Sequence, residues 1–355
     1  MPRFSPDTLT EVGVSLFTAC GCSAEDAHTV TEHLVESSLF GHDSHGTLRF
    51  YEYVEQIRDG IFAPQGTPKV VQERGVTAVI DGGGTMGQIG GRFAVEVAAA
   101  KARELGVASI GLRNCAHLGR IGAYPLALAR QGLVGLAFVN AGRLGRQIAP
   151  YGGLDGKLST NPVAFAAPRS GHDPILVDMT TSVVAEGKVR VYSNRGDHLP
   201  EGWIIDRDGE PSTDPADYLG EDGGAILPLG GVVAYKGYCL SMIVEIFGGI
   251  FSGQGTAAGD RIMQSNGLLL TAYDPSFFAV YSDYQREMEG LVAHVLSSRV
   301  DPRIGEIKLP GEPEFRSERE RRAQGIPIDD TTWARICERA RELGLNPEPW
   351  IQAAI

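Results

Sequence analysis

Cysteine is scarce in this chain of 355 residues: Cys20, Cys22, Cys115, Cys239 and Cys337 make five, an odd number with no CxxC pair and no repeated spacing. Neither a disulfide framework nor a zinc knuckle is indicated, and reduced thiols are expected. Long apolar runs are also missing. The most apolar stretch, residues 238–251, is interrupted by Glu245 and by Gly248-Gly249, and falls short of the ~20 residues that span a bilayer. The first residues, Met-Pro-Arg-Phe-Ser-Pro, carry no apolar leader core. Positive charge is in the minority, with 32 Lys and Arg against 44 Asp and Glu and a net charge of −12, which argues against a surface built for nucleic-acid phosphates. A cytoplasmic protein that binds neither membrane nor nucleic acid is expected. An anionic ligand would need a local basic pocket.

Hydrophobic residues make up 43% and charged residues 21%, so the chain can bury a sizeable core, and its length suits two domains or one with an appendage. The first 60 residues read as helices. Ser5-Pro6 offers an N-cap and a proline at the first helical position ahead of Leu9, Val12, Leu16 and Phe17. Ser23 with Asp26 resembles a capping box ahead of Ala27, Val30, Leu34 and Val35. A turn at residues 41–46 leads to a third amphipathic stretch, Leu48 to Ile57.

From residue 69 the pattern changes to β-branched runs separated by glycine. Strands are expected at 69–72, 76–80, 107–112, 134–139 and 175–177, with helices at 93–105 and 124–130. This alternation favours an α/β layer architecture. Residues 194–231 are rich in loop formers, 237–251 reads as a buried helix, and the charged tail from 312 is helical again. Helices at both ends most simply form one helical subdomain, 1–68 plus 312–355, around an α/β body at 69–311.

Residues 82–87, Gly-Gly-Gly-Thr-Met-Gly, match the G-x-G-x-x-G dinucleotide fingerprint between a strand and a helix. The next strand, however, ends in Arg113-Asn114, where that fold places an acidic residue for the ribose. A tight glycine turn is the preferred reading.

The densest polar cluster is Gly41-His42-Asp43-Ser44-His45-Gly46-Thr47-Leu48-Arg49. If a helix begins near Ser44, then His45, Arg49 and Tyr53 stack on one face. Such a stripe suits a 2-oxo acid: Arg binds the carboxylate, while His gives or takes the proton of the oxygen. His42, Asp43 and His45 also allow a metal-dependent hydrolase, but no further ligand cluster completes a metal site. A second cluster, Asn114 to Tyr124, lies at the carboxyl end of a strand, where glycines at 119 and 122 permit close cofactor approach behind His117. Ser159-Thr160-Asn161-Pro162 and residues 178–182 offer hydroxyls and amides for phosphate or ribose, and equally for ordinary turns. Lys188 and Lys236 each stand beside a glycine and could reach a phosphate.

Taken together, these segments resemble the type-2 malate/L-lactate dehydrogenase family over residues 7–345. The similarity is carried by Ser44-His45-Gly46 with Arg49, Asn114 to Tyr124, Thr160-Asn161-Pro162, Asp178 to Ser182, Leu199 to Trp203, Tyr235-Lys236-Gly237 and Leu309-Pro310-Gly311-Glu312. The resemblance implies hydride transfer between NAD or NADP and C2 of a small 2-hydroxy or 2-oxo carboxylate. It also implies a non-Rossmann mixed-sheet body and a homodimer. His45, assisted by Ser44, or alternatively His117, matches the proton-transferring group. Lys188 falls where the related cyclic ketimine reductases, which act on piperideine- or pyrroline-2-carboxylate, have a relay aspartate; this departure favours the hydroxy acid. Arg49, Tyr53 and Thr160 match substrate-side positions. The implied cofactor contacts are His117, Gly119, Ile121, Gly122, Asn161, Asp178, Met179, Thr180, Lys236, Gly237, Leu309, Pro310, Gly311 and Glu312. No metal is implied.

Overall fold

The computed structural model describes residues 1–142, 146–220, 223–259 and 265–355. The amino-terminal segment opens with strand β1 (Arg3–Phe4) and helices α1 (Pro6–Ala19) and α2 (Ala24–Leu39). Both helices are capped as their sequences dictate: Ser5 accepts from the Thr8 amide and Ser23 from the Asp26 amide, each at 3.0 Å. A 3-10 turn at Asp43–His45 leads into α3 (Arg49–Arg58).

The body then runs β2 (Lys69–Arg74), β3 (Thr77–Asp81), α4 (Gly87–Leu105), β4 (Val107–Cys115), α5 (Ala123–Ala129), β5 (Val134–Asn140), β6 (Val163–Ala167), β7 (Ile175–Met179) and α6 (Glu186–Arg195). A smaller sheet follows from β8 (Ile204–Ile205), β9 (Pro211–Ser212) and β10 (Ala225–Ile226), with α7 (Ala216–Leu219) between the last two. Next come α8 (Tyr235–Val244), which passes into a π-helix at Glu245–Phe251, then β11 (Asn266–Tyr273) and α9 (Tyr281–Leu296). The tail supplies α10 (Glu312–Gln324), β12 (Ile326–Pro327), α11 (Asp330–Glu342) and α12 (Glu348–Gln352).

The main sheet has seven strands in the order β2-β3-β4-β11-β5-β6-β7. Only β3 and β4, joined through α4, pair in parallel; β11 lies antiparallel between β4 and β5. A doubly wound dinucleotide fold is therefore excluded, in agreement with the non-Rossmann expectation. Ile110 and Leu112 of β4 and Leu268 and Leu270 of β11 are fully buried at the centre. The two chain ends meet: β1 pairs with β12, and the Phe4 ring lies 4.1 Å from that of Trp333. Helices α1–α3 and α10–α11 share one core containing Leu16, Phe50, Phe315 and Ile336.

The glycines at 82–87 serve chain packing. The amides of Gly82 and Gly84 donate to the carbonyls of Arg113 and Asn114, and a Cβ on Gly87 would lie 2.3 Å from the His117 carbonyl oxygen. The start of α4 is thus closed by protein backbone. The expectation of a buried helix over 237–251 needs correction: Met242, Ile246, Ile250 and Phe251 are exposed along one side of α8 and the π-helix. Strand β11 lies outside the elements expected from the sequence.

Candidate active site

The loop after β4 is fixed from several sides. The Asn114 side chain donates to Asp81 at 2.7 Å, the Ala116 amide to the Thr85 carbonyl at 2.9 Å, and the Leu118 amide to the Asn266 side chain at 2.9 Å. Asn114 adopts a left-handed backbone (φ 53°), a conformation that asparagine tolerates better than most residues. Further along, the Arg120 amide donates to His33 Nε2 at 3.1 Å and the Gly122 amide to Asp178 Oδ2 at 2.9 Å. His117 is therefore carried on a rigid support.

His45 comes from a different place than the sequence suggests. The helix begins at Arg49, so His45 belongs to the preceding 3-10 turn and not to a stripe shared with Arg49 and Tyr53. The cause is tertiary: Ser38 on α2 captures the Thr47 amide at 3.0 Å, and a Cβ at Gly46 would fall 2.1 Å from the Ser38 hydroxyl. The three side chains converge nonetheless. The His45 and His117 rings stack with centroids 5.4 Å apart, and the Tyr53 hydroxyl meets His117 Nδ1 at 2.7 Å. Ser44 Oγ lies 2.9 Å from His45 Nδ1, and Arg49 Nε donates to the Ser44 carbonyl at 2.8 Å while the guanidinium pairs with Glu52.

Both imidazoles are neutral at ordinary pH. Burial, reinforced by the Arg49 guanidinium, pushes His45 down to about 3 and holds His117 well below its usual value. Burial also lifts the Tyr53 phenol to about 12. Beneath the pair lies a buried charge cluster. Arg120, 2% exposed, donates to Glu36 at 2.7 Å and approaches Asp178 at 4.0 Å, with its guanidinium over the Phe40 ring. Burial raises the Asp178 carboxyl against the opposing pull of Arg120. His42 approaches Glu314 at 3.6 Å, and Asp43 pairs with Arg321. His42 and Asp43 are thus engaged by the tail helix α10, and no group of three or more His, Cys, Asp or Glu among the described residues could hold a metal ion.

The other candidates divide into two groups. Gly119, Gly122 and Asp178 join the cluster, whereas Ile121 is buried in the apolar core of the main sheet; the glycines are needed for close packing: a Cβ would lie 2.5 Å from His33 Nε2 at Gly119 and 2.4 Å from Asp178 Oδ2 at Gly122. Met179 and Thr180 follow at the end of β7, Met179 being exposed. Leu309 to Glu312 cap α10: the Leu309 amide donates to Glu312 Oε2 at 2.7 Å, and Pro310 accepts from Leu176 at 3.1 Å. Gly311 packs on Leu176 with φ 93°.

Lys188 is exposed in the first turn of α6, next to Gly187, where a Cβ would lie 3.7 Å from that of Ser44. The Thr160 carbonyl accepts from the Thr181 amide at 3.0 Å. Two residues turn inward instead. The Asn161 amide is spent on Ser241 Oγ and Glu245 Oε1, at 2.9 and 3.0 Å, and Gly237 is buried against the Leu229 backbone. Lys236 is exposed in the first turn of α8. Its ammonium is a charge that a phosphate could meet. The sequence had not pointed to Gln88, Glu52 or the His33–Glu36–Arg120 cluster; of these, only the helical spacing of His33 and Glu36 offered a signal.

Residues 4–337 match the model of the malate/L-lactate dehydrogenase family. The hydroxycarboxylate dehydrogenase B of Escherichia coli K12 is 34% identical over 99% of this chain and 97% of its own. Among solved structures, sulfolactate dehydrogenase from Methanocaldococcus jannaschii superposes with a TM-score of 0.88 at 32% identity, covering 98% of this chain and 99% of that one. The Δ1-piperideine-2-carboxylate reductase from Pseudomonas syringae gives a TM-score of 0.83 at 30% identity, covering 96% and 100%. With near-complete coverage in each comparison, the chain belongs to the malate/L-lactate dehydrogenase family of oxidoreductases.

Proposed function

We propose that the protein interconverts a small 2-hydroxy carboxylate and its 2-oxo acid with NAD or NADP as the hydride carrier. The observation that carries this reading is the stacked His45–His117 pair beside Arg49. A guanidinium offers the carboxylate a charge-assisted anchor, and an imidazole nearby meets the C2 oxygen. The nicotinamide supplies or accepts the hydride when bound. Exposed Lys236 and Met179, with Thr180, Asp178 and the 309–312 cap, are the residues that would hold the cofactor.

His45 is assigned the proton transfer. Its Nδ1 partner is the Ser44 hydroxyl, which rotates to accept from a protonated ring or donate to a neutral one. His117 and Arg49 bind and orient the substrate, with the buried Tyr53 holding His117 from behind. The exposed apolar side of α8 and the π-helix, with Met242, Ile246, Ile250 and Phe251, supports a homodimer built across it.

A ketimine reductase activity is the second reading, favoured by the likeness to the piperideine-2-carboxylate reductase, but Lys188 replaces the aspartate of that relay. The deciding experiment follows nicotinamide absorbance with NADH and NADPH against a panel of 2-oxo acids and both cyclic imines. Turnover of a 2-oxo acid that falls about 10²-fold or more in His45→Gln is expected. Turnover of the imines alone would move the protein to the second reading, and no oxidation of either cofactor would refute both.

A further inference from the structure

Gln88, in the first turn of α4, is 1% exposed and lies behind the stacked histidines. Its Nε2 donates to the Tyr53 hydroxyl at 3.0 Å and sits 3.3 Å from the His117 carbonyl oxygen. That carbonyl can only accept, so the amide nitrogen must face it, and the same nitrogen then points at Tyr53. The amide oxygen on the other side is buried without a partner. Reversing the amide would set oxygen against the His117 carbonyl and leave an N–H pair in that unpartnered place. Orientation is therefore fixed by the backbone of the very residue whose side chain lies at the far end of the chain of bonds.

The hydrogen-bond direction follows. Tyr53 accepts a hydrogen bond from Gln88, and its own hydroxyl proton has one acceptor among the described residues, His117 Nδ1 at 2.7 Å. An acceptor at Nδ1 puts the ring proton on Nε2. If Nδ1 carried a proton as well, Tyr53 would face two donors and its own hydroxyl proton would be stranded in a buried place.

We infer that Gln88 is a positioning residue that acts through Tyr53 to hold His117 as the neutral Nε2–H tautomer, a hydrogen-bond donor to the substrate that does not itself cycle its proton. The inference rests on the dehydrogenase reading for its catalytic consequence, though not for the tautomer. It gives the two imidazoles different tasks: Ser44 can reorient to follow a change of charge on His45, whereas Tyr53, locked by Gln88, cannot do so for His117. The depressed basicity of His117 agrees with this division.

The test is two-bond 1H–15N NMR of the histidine rings in the full-length protein without cofactor, with His117 assigned by comparison with His117→Gln. The wild type is expected to show Nε2 protonated and Nδ1 bare. Gln88→Met, which keeps the volume and removes the donor, should shift the ring toward a mixture of tautomers and lower kcat about tenfold, the equivalent of one net hydrogen bond. KM for the nicotinamide should stay within about twofold. Adding Gln88→Met to Tyr53→Phe should move the His117 tautomer no further, because Gln88 reaches the His117 ring only through the phenol. A wild-type ring protonated at Nδ1 would overturn the inference, and this spectrum decides even if the methionine variant does not fold. A tautomer and kcat both unmoved in Gln88→Met would also overturn it. The expected tautomer in a protein that turns over no 2-oxo acid would leave the inference standing and refute the proposed function instead.

Discussion

Acid should act on the fold in part through His33. This ring is 9% exposed on α2, and its Nε2 accepts the Arg120 amide at 3.1 Å, fixing the start of the 120–122 segment below the active site. Burial pushes the ring down to about 3 from an unfolded value of 6.5, with the Arg120 guanidinium adding to the fall and Glu36 opposing it. A depressed folded value sets the sign: the unfolded chain takes up a proton below 6.5 while the folded chain does not. Stability is intact above that value and declines by about 1.4 kcal/mol per pH unit until the folded ring itself protonates. At about pH 5 this one ring costs about 2 kcal/mol, a large share of a typical stability of ~5–15 kcal/mol.

Replacing it by Gln removes the titration and weakens the acceptor and the ring contact with Tyr124, whose centroid is 5.6 Å away. The variant should be about 1–2 kcal/mol less stable than the parent at about pH 8, with the gap closing to about zero near pH 5. Urea unfolding followed by tryptophan fluorescence at both pH values and one between reads the gap directly. A gap that stays constant would show that His33 is protonated in the fold, and the anchoring of Arg120 would have to be reassigned.

Two further outcomes follow from packing. Gly87→Ala places a Cβ 2.3 Å from the His117 carbonyl, so it should cost about 1–3 kcal/mol and lower kcat with it; an unchanged Tm and kcat would mean that the two backbones can separate freely. Ile250→Glu, at a position 59% exposed, should convert the proposed dimer to a monomer in sedimentation while leaving the far-ultraviolet circular dichroism intact, and a dimer that persists would place the interface elsewhere.

Much of this arrangement was legible from local pattern. Caps at Ser5 and Ser23, apolar helical spacing and β-branched runs act over a few residues, and most of the elements they specify are where the sequence puts them, although α4 starts at Gly87 and not at residue 93. What was missed depends on distant partners. Residues 266–273, Asn-Gly-Leu-Leu-Leu-Thr-Ala-Tyr, show no polar–apolar alternation, and become the central strand β11 only by pairing with residues 107–115 and 134–140. The late start of α3 depends on Ser38, on another helix. Apolar residues on every side made 237–251 read as buried, since periodicity cannot tell a core helix from one with an exposed apolar side. In the site, His45, Arg49, Tyr53 and His117 stood out because each is titratable or charged. Gln88 did not, since an amide gains importance only from the direction in which its two ends are held.

The two histidines also constrain one another. Rings 5.4 Å apart beside a guanidinium cannot both carry a proton without strong repulsion, so at most one is charged at a time and the pair titrates as a unit. The Arg49 guanidinium helps to hold His45 low, second to burial. A carboxylate seated on Arg49 cancels part of that contribution and moves His45 back toward its ordinary value, so that the ring takes up a proton more readily when a 2-oxo acid, which needs the proton, is bound. Binding of oxamate, a non-reacting 2-oxo acid analogue, to the enzyme loaded with whichever of NADH and NADPH it binds should therefore take up protons from solution at mildly acid pH. The measurement is the dependence of the calorimetric binding heat on the ionisation heat of the buffer. Uptake in the wild type that vanishes in His45→Gln is the expected result. Equal uptake in both, or none in the wild type, would mean that the proton for reduction is not loaded on His45 by substrate binding.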